Sequence, residues 1–232
     1  MELVWQGLVK AIDMLIRLDP EILRITWLTL SVALSSIVIS VIIGVPLGVL
    51  LGLTFFPGRK ALVTLINIGM GLPPVVAGLW ITMLLWRAGP LGKYALLYTP
   101  YAMIMAQVLV SLPIVIGLTC AAFQQIDSRL RLQIKSLGVT RWQNLIILLK
   151  EVRLPILAAV MAGFGRVLAE VGASMMVGGN IKGETRILTT AMVMEVSKGN
   201  FDIAIALSFI LMTLAFMITF SLTYLQQRKK VA

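Results

Sequence analysis

Four long stretches without a charged residue limit what this chain can fold into. They are residues 25–53, 61–86, 94–126 and 203–227. Each exceeds the ~20 apolar residues that an α-helix needs to cross a bilayer. A fifth stretch, 154–181, contains only Arg166 and Glu170 as charged residues. With 59% hydrophobic residues, the chain is too apolar for a soluble core. We therefore predict an all-α, polytopic membrane protein with five transmembrane helices.

The net charge of +10 is distributed unevenly along the chain. If the loops alternate between the two sides of the membrane, one side holds eleven basic and two acidic residues, and the other holds eight basic and seven acidic ones. Loops on the cytoplasmic side of membrane proteins are enriched in Lys and Arg. We therefore predict that loop 125–153 and the basic tail 228–232 are cytoplasmic and that the N-terminus lies outside. This bias accounts for the charge, so we expect no nucleic-acid partner.

Residues 1–18 differ from the predicted spans. Apolar residues recur at helical spacing, with charged residues on the opposite side, which is typical of a helix lying in the membrane interface. Asp19 followed by Pro20 predicts the start of the next helix, with a capping carboxylate before a proline at the first helical position. We therefore predict an interfacial amphipathic helix over 1–18 and a transmembrane domain over 19–227.

Glycines and prolines mark two features inside the spans. Gly44, Gly48 and Gly52 are four residues apart, which lets two helices approach closely. The stripe could pack within the subunit or form a subunit interface. Pro73 and Pro74 interrupt the second span, because proline removes a backbone donor. In lipid such a break survives only beside protein or a water-lined cavity, so it could line a pathway or form a structural kink.

Loop 125–153 contains the pattern of two short helices joined at a glycine. Asp127 can cap a helix over 128–137, in which Leu130, Ile134 and Leu137 share one face. Gly138 is typical of a helix end, and Thr140 to Gln143 matches a capping box for a second helix. We predict a rigid knob whose apolar face covers a protein partner or lies on the membrane surface.

The run Leu-Gly-Val-Thr-Arg-Trp at 137–142 resembles the EAA loop of ATP-binding-cassette importer permeases. In that family the loop carries a coupling helix that sits in a cleft of the ATPase subunit. The resemblance therefore implies a type I importer permease fold and a set of candidate ATPase-coupling residues. These are Ser128, Leu130, Ile134, Leu137, Gly138 and Arg141.

Other motifs resemble the molybdate/tungstate branch of that family, and most closely its tungstate permeases. They are Phe-Pro-Gly-Arg at 56–59, Leu-Pro-Pro-Val-Val at 72–76, Gly-Pro-Leu-Gly at 89–92, Glu-Val-Gly-Ala at 170–173, and the run 175–191 from Met-Met-Val-Gly-Gly-Asn-Ile to Thr-Thr-Ala. The resemblance implies tungstate import across the cell membrane, with molybdate or another oxyanion as the alternative substrate. It also implies a homodimer, two ATP-binding subunits that hold ATP and Mg, and an extracytoplasmic tungstate-binding protein.

Two sets of polar residues are candidates for the transport path and for the outer surface. Pro73, Pro74, Arg166 and Glu170 could line or gate the path. Arg166 and Glu170 are spaced to pair on one helix face, and such a pair could equally be structural. Asn180, Lys182, Thr185 and Arg186 lie at and just beyond the end of the stretch 154–181. They could meet an oxyanion, contact the external binding protein or form a structural hairpin.

Two other classes of function fit the composition less well. An autonomous secondary transporter is disfavoured because five spans show no internal repeat. An intramembrane enzyme is disfavoured because no nucleophile and base are paired in the spans. The chain has no histidine and one cysteine, Cys120, so we expect no imidazole metal site. It also has no P-loop, so we expect no cofactor in this chain and no enzymatic activity.

Overall fold

The computed structural model describes residues 5, 7, 9–13 and 19–228, without the side chains of residues 135, 225 and 228. The described residues form helices and contain no β-strand, which confirms the all-α prediction. The helices are α1 Pro20–Leu53, α2 Arg59–Met70, α3 Pro74–Leu85, α4 Pro100–Gln124, α5 Ser128–Ser136, α6 Arg141–Glu151, α7 Arg153–Leu168, α8 Gly172–Gly178, α9 Leu188–Ser197 and α10 Phe201–Arg228. A single 3₁₀ turn, Gly92–Tyr94, lies between α3 and α4.

Three helices, α1, α4 and α10, are long and apolar enough to cross a membrane on their own. Two further pairs reach that length only together. The α2–α3 pair bends by 105° and the α7–α8 pair by 57°. The predicted break at Pro73 and Pro74 is confirmed, since α2 ends at Met70 and α3 begins at Pro74.

Helices α1 and α4 run parallel. Ser40 Oγ lies 2.7 Å from Ser111 Oγ, and Gly44, Gly48 and Gly52 follow against Val115, Thr119 and Phe123. Each step of four along α1 is therefore matched by a step of four along α4. A chain must cross the bilayer once between two parallel spans, so the α2–α3 pair is one bent crossing and not a re-entrant loop.

The remaining spans alternate in direction. Gly163 on α7 faces Val115 of α4, and Gln107 of α4 donates to Ser174 Oγ on α8 at 3.2 Å, so the α7–α8 pair runs antiparallel to α4. Gln226 of α10 donates to the carbonyl of Leu154 at 3.5 Å, and the two helices run antiparallel from there. The chain therefore crosses the membrane five times, as predicted.

The glycine stripe of α1 packs within the subunit. A Cβ on Gly44 would lie 2.9 Å from Val115 Cγ1, and one on Gly52 would lie 2.5 Å from Phe123 Cβ. Only hydrogen leaves room for this approach. Of the two interpretations of the stripe, close packing inside one subunit is the one that the structure shows.

The start of α1 is capped as predicted. Asp19 Oδ1 accepts from the backbone N–H groups of Glu21 at 2.8 Å and Ile22 at 3.4 Å. Within the predicted interfacial helix, Lys10 pairs with Asp202 at the start of α10, and Ala11 is buried against the same region. The rest of 1–18 and the tail beyond residue 228 lie outside the described residues, so these two boundaries stay predictions.

Candidate functional site

The two helix breaks lie side by side. A Cβ on Gly78 of α3 would lie 2.8 Å from Ala173 Cα of α8, and one on Gly172 would lie 2.6 Å from Val75 Cγ2. The first turns of α3 and α8 therefore cross in direct backbone contact. Glycine at both crossing points permits this approach, because any side chain would separate the helices.

Backbone N–H groups after the α2–α3 break find hydrogen-bond acceptors within the break itself. Val76 N and Ala77 N donate to Pro73 O at 2.9 and 3.2 Å. Pro74 occupies the first position of α3, where a missing N–H costs no helical hydrogen bond. Pro73 is exposed and Pro74 half-buried. The break therefore has a local structural explanation, and its role in a path stays a prediction.

Glu170 caps α8. Its side chain is buried, with 4% of the residue exposed, and Oε1 accepts from Ala173 N at 2.8 Å. Its backbone carbonyl accepts from Thr189 Oγ1 at 2.9 Å, which ties the break to α9. A carboxylate at this position also opposes the positive end of the helix dipole.

The predicted pairing of Arg166 with Glu170 is wrong. Helix α7 ends at Leu168, so the spacing of four residues spans the bend instead of one helix face. The Glu170 carboxylate turns to α8, and Arg166 is exposed and forms no ion pair or hydrogen bond with the part of the chain that the structure describes. Glu170 therefore caps α8, while the Arg166 side chain lies on the surface of the chain.

A buried polar network connects α1, α4 and α8. Gln107, with 2% of its surface exposed, contacts Ser36 Oγ through Oε1 at 3.2 Å and donates to Ser174 Oγ at 3.2 Å. Hydrogen bonds between membrane helices fix their relative position. The sequence analysis missed this network, although a glutamine in the middle of an uncharged span was a signal for it.

The cytoplasmic knob has the predicted caps. Asp127 Oδ1 accepts from Arg129 N at 2.8 Å, and Thr140 and Gln143 form a reciprocal capping box. Gly138 has φ of +66°, the left-handed conformation that commonly follows a helix. Helix α5 ends at Ser136, one residue before the predicted end.

The apolar face predicted for the knob is divided in the structure. Ile134 is buried, and Leu130 packs with it against Phe123 and Leu148. Leu137 lies beyond the end of α5 and is 76% exposed. The prediction that these three residues share one outward face is therefore wrong, because two of them hold the knob against α4 and α6.

Three large apolar side chains of the knob are exposed. Leu132, Leu137 and Trp142 are 66%, 76% and 75% exposed. Ser128 and Arg141 are also exposed. The sequence analysis did not select Leu132 or Trp142 as contact residues, although both are large apolar residues among basic ones. We call Leu132, Leu137 and Trp142 the knob surface.

The four polar residues predicted at the outer surface lie in one hairpin between α8 and α9. Thr185 is fully buried and closes the hairpin by donating to Gly178 O and accepting from Ile181 N. Arg186 donates to Asn180 O at 3.4 Å. Lys182 Nζ lies 2.7 Å from a carboxylate oxygen of Glu21. The structural-hairpin interpretation therefore accounts for Thr185, while Lys182 is 67% exposed and open to contact.

Glu195 closes the turn from α9 to α10. It accepts from Asn200 Nδ2 at 2.7 Å and Lys198 Nζ at 2.9 Å, and these hydrogen bonds lower the pKa of its carboxyl. The ionised carboxylate therefore stabilises the turn at pH values above the ordinary glutamate pKa. This contribution is lost as the pH falls through the lowered pKa of Glu195.

We expect Glu195→Gln to have a lower melting temperature than the native protein at neutral pH, with the difference shrinking between about pH 5 and pH 3. Melting curves in detergent would show it, and a difference that does not change with pH would contradict it.

The fold and the site define a class of protein: a multi-pass membrane subunit with a bent, tightly packed helical core and an apolar knob on one end. Residues 44–231 match the family model described as "binding-protein-dependent transport system inner membrane component", and the chain belongs to that family of ATP-binding-cassette importer permeases.

Individual relatives extend the match over nearly the whole chain. The tungstate uptake system permease protein TupB of Peptoclostridium acidaminophilum is 35% identical over 98% of this chain and 100% of its own length. The protein of the same name from Campylobacter jejuni is 36% identical over 95% of this chain and 92% of its own length. A probable anion ABC transporter permease protein of Haloferax volcanii is 39% identical over 68% of this chain and 71% of its own length.

Proposed function

We propose that this chain is the permease subunit of an ATP-driven importer that carries tungstate across the cytoplasmic membrane. The observation that carries the proposal is the end-to-end similarity to tungstate uptake permeases, at 35% identity over 98% of the chain. The five crossings and the exposed knob surface support it. The chain itself is a transport subunit and not an enzyme, so ATP and Mg belong to the partner ATPase.

The knob surface is the proposed contact with the ATPase. Large exposed apolar side chains at this position are candidates for a protein contact, and aromatic anchors such as Trp142 are typical of interface centres. Leu130 and Ile134 support the surface from behind, while Ser128 and Arg141 lie at its edge. Gly138 sets the corner between α5 and α6. In the proposed orientation this end is cytoplasmic, the C-terminus is on the same side and the N-terminus is outside.

The proposed importer contains two copies of this chain, two ATPase subunits and an extracytoplasmic tungstate-binding protein. The outer hairpin, with Lys182 exposed and Asn180 at its turn, supplies a surface for that binding protein. Pro73 and Arg166 lie on exposed parts of the bent pairs, where a path between the two copies would run.

Helix α4 connects the knob to the bent α7–α8 pair. Its last residues lead into the knob through Asp127, and Gln107 binds Ser174 of the bent α7–α8 pair. When ATP binding draws the two ATPase subunits together, movement of the knobs would tilt α4 and carry α8 with it. The path would then open towards the binding protein, and ATP hydrolysis would reset it.

The test is tungstate uptake into proteoliposomes that contain this chain and its cognate ATPase, with the binding protein added. We expect Leu137→Glu to reduce uptake by about ten-fold or more, because a charge in the centre of an apolar contact costs at least ~1.4 kcal/mol. Phe55→Glu is the matched control, since Phe55 is 86% exposed but lies outside the knob.

Three results would contradict the proposal. Uptake by the chain without its ATPase would indicate a secondary transporter. Uptake that Leu137→Glu leaves unchanged would remove the coupling role of the knob surface. Stronger competition by molybdate or sulfate than by unlabelled tungstate would show that the substrate is another oxyanion.

A further inference from the structure

Arg166 is a positive charge close to the middle of the membrane-spanning core. A Cβ on its neighbour Gly163 would lie 3.2 Å from Val115 Cγ2 and 4.0 Å from Ser111 Cβ of α4. Gln107 of α4 donates to Ser174 Oγ on α8. Arg166 therefore lies level with the middle of α4, roughly 15 Å from the first residue of that helix. It is exposed on the single chain and has no hydrogen-bond or ion-pair partner among the described residues.

The hydrocarbon core of the bilayer is an unfavourable environment for the Arg166 guanidinium. A charged group at the centre of the bilayer is expensive and faces a bundle interior or a water-filled cavity. The headgroups are about 15 Å away in either direction, which is too far for an arginine at mid-depth to reach. The guanidinium therefore needs water, an anion or another protein surface.

The residues around Arg166 also differ from a lipid-facing surface. The exposed positions on its side of α7 and at the end of that helix are small: Ala158, Ala162, Gly165 and Ala169. The exposed positions of α10 include large apolar side chains, with Met212, Phe216 and Phe220 each at least 60% exposed. Small residues leave space beside a helix, and Gly165 has no atom within 4 Å of its Cβ position. We call the four small residues the small face of α7.

Glu170 does not neutralise Arg166. Its carboxylate is held by Ala173 N at the start of α8, and it is buried where Arg166 is exposed. The charge of Arg166 is thus available to a ligand on the small face of α7. A guanidinium binds oxyanions through two parallel N–H donors.

We infer that Arg166 binds the substrate in transit, as the anion-binding and selectivity-determining residue of the path between the small faces of two copies of this chain. The inference rests on the proposed function and adds its substrate contact. Each copy contributes one Arg166, so two guanidinium groups balance the two negative charges of a tetrahedral oxyanion. A divalent oxyanion is bound in preference to a monovalent one of the same shape.

Uptake by Arg166 variants is the first test. In the complete importer, Arg166→Gln is expected to lower tungstate uptake by about ten-fold or more, because a hydrogen bond to a charged group is lost. Arg166→Lys is expected to retain more uptake than the glutamine variant, since the charge remains. Equal assembly of all three complexes, measured by size-exclusion chromatography, separates this effect from misfolding.

Cysteine labelling tests the site without a transport assay. In a Cys120→Ala background, Ala162→Cys is expected to react with charged, water-soluble thiosulfonates, and faster with an anionic than with a cationic one. Tungstate should slow the reaction, and perrhenate, a monovalent ion of similar shape, should slow it less. Adding Arg166→Gln should remove both the reagent preference and the protection. Phe216→Cys on α10 is the lipid-facing control and should not react.

The two proposals fail in different ways. If the native importer takes up no tungstate, the proposed function is wrong. If it takes up tungstate and Arg166→Gln transports at the native rate, only the inference about Arg166 is wrong. Lack of reaction at Ala162→Cys, or protection that persists without Arg166, would overturn the inference as well.

Discussion

Gly48→Val is expected to disrupt the packing of α1 against α4 and to cause a large loss of stability. A Cβ at this position would lie 2.6 Å from Thr119 Cβ and 2.9 Å from the carbonyl oxygen of Ile116. The second contact is with helix backbone, so a rotamer change cannot relieve it. Overpacking of this kind costs about 3 kcal/mol, which corresponds to a melting temperature lower by roughly 6–12 °C for a chain of this size.

The measurement is thermal unfolding of the purified chain in detergent. Leu47→Val is the matched control, because Leu47 is the adjacent residue of α1 and is 41% exposed. It should change the melting temperature by a small fraction of the effect of Gly48→Val. If the two variants melt alike, the close approach of α1 and α4 is not a feature of the folded protein in solution.

Glu170→Leu is expected to destabilise the bend between α7 and α8 and to abolish tungstate uptake. The substitution removes the acceptor for Ala173 N and leaves a buried donor without a partner, which costs about 2 kcal/mol. The apolar surroundings offer no water to replace the lost bond. Because Thr189 binds the backbone of Glu170, the start of α9 is expected to loosen together with α8.

Glu170→Gln separates the hydrogen bond from the charge. Its amide oxygen can accept from Ala173 N, so its melting temperature should stay close to that of the native protein in the same detergent. A Glu170→Leu variant as stable as the glutamine variant would show that the cap does not hold α8. Uptake by the leucine variant at the native rate would show that the bend is not needed for transport.

Local chemistry made much of the fold predictable. Proline fixes its own backbone, so the break at Pro73 and Pro74 followed from the sequence. The side chain of Thr140 reaches only its own helix start, so the capping box was equally certain. The four uncharged stretches and the stretch with only two charges located all five crossings, because their length is set by the bilayer and not by neighbouring helices.

The candidate site depended on contacts between distant residues and was predicted less well. Arg166 and Glu170 have the spacing of a helical pair, but the bend at 169–171 sends their side chains to different places. Ile134 has the pattern of an exposed face, yet Phe123 and Leu148 cover it. Spacing within a helix cannot show which side another helix will cover, and the link between Gln107 and Ser174 joins residues 67 positions apart.

The interlocked α1–α4 seam limits the kind of motion that transport can use. Side chains of α4 pack into the spaces above Gly44, Gly48 and Gly52, at every fourth residue of α1. The helices can therefore slide past one another only in steps of four residues, about 6 Å. Smaller axial movements would drive side chains into the backbone of the facing helix. The two helices must therefore rotate together as one rigid body. A displacement of the knob is then transmitted to the opposite end of the pair as a rotation and not as an axial translation.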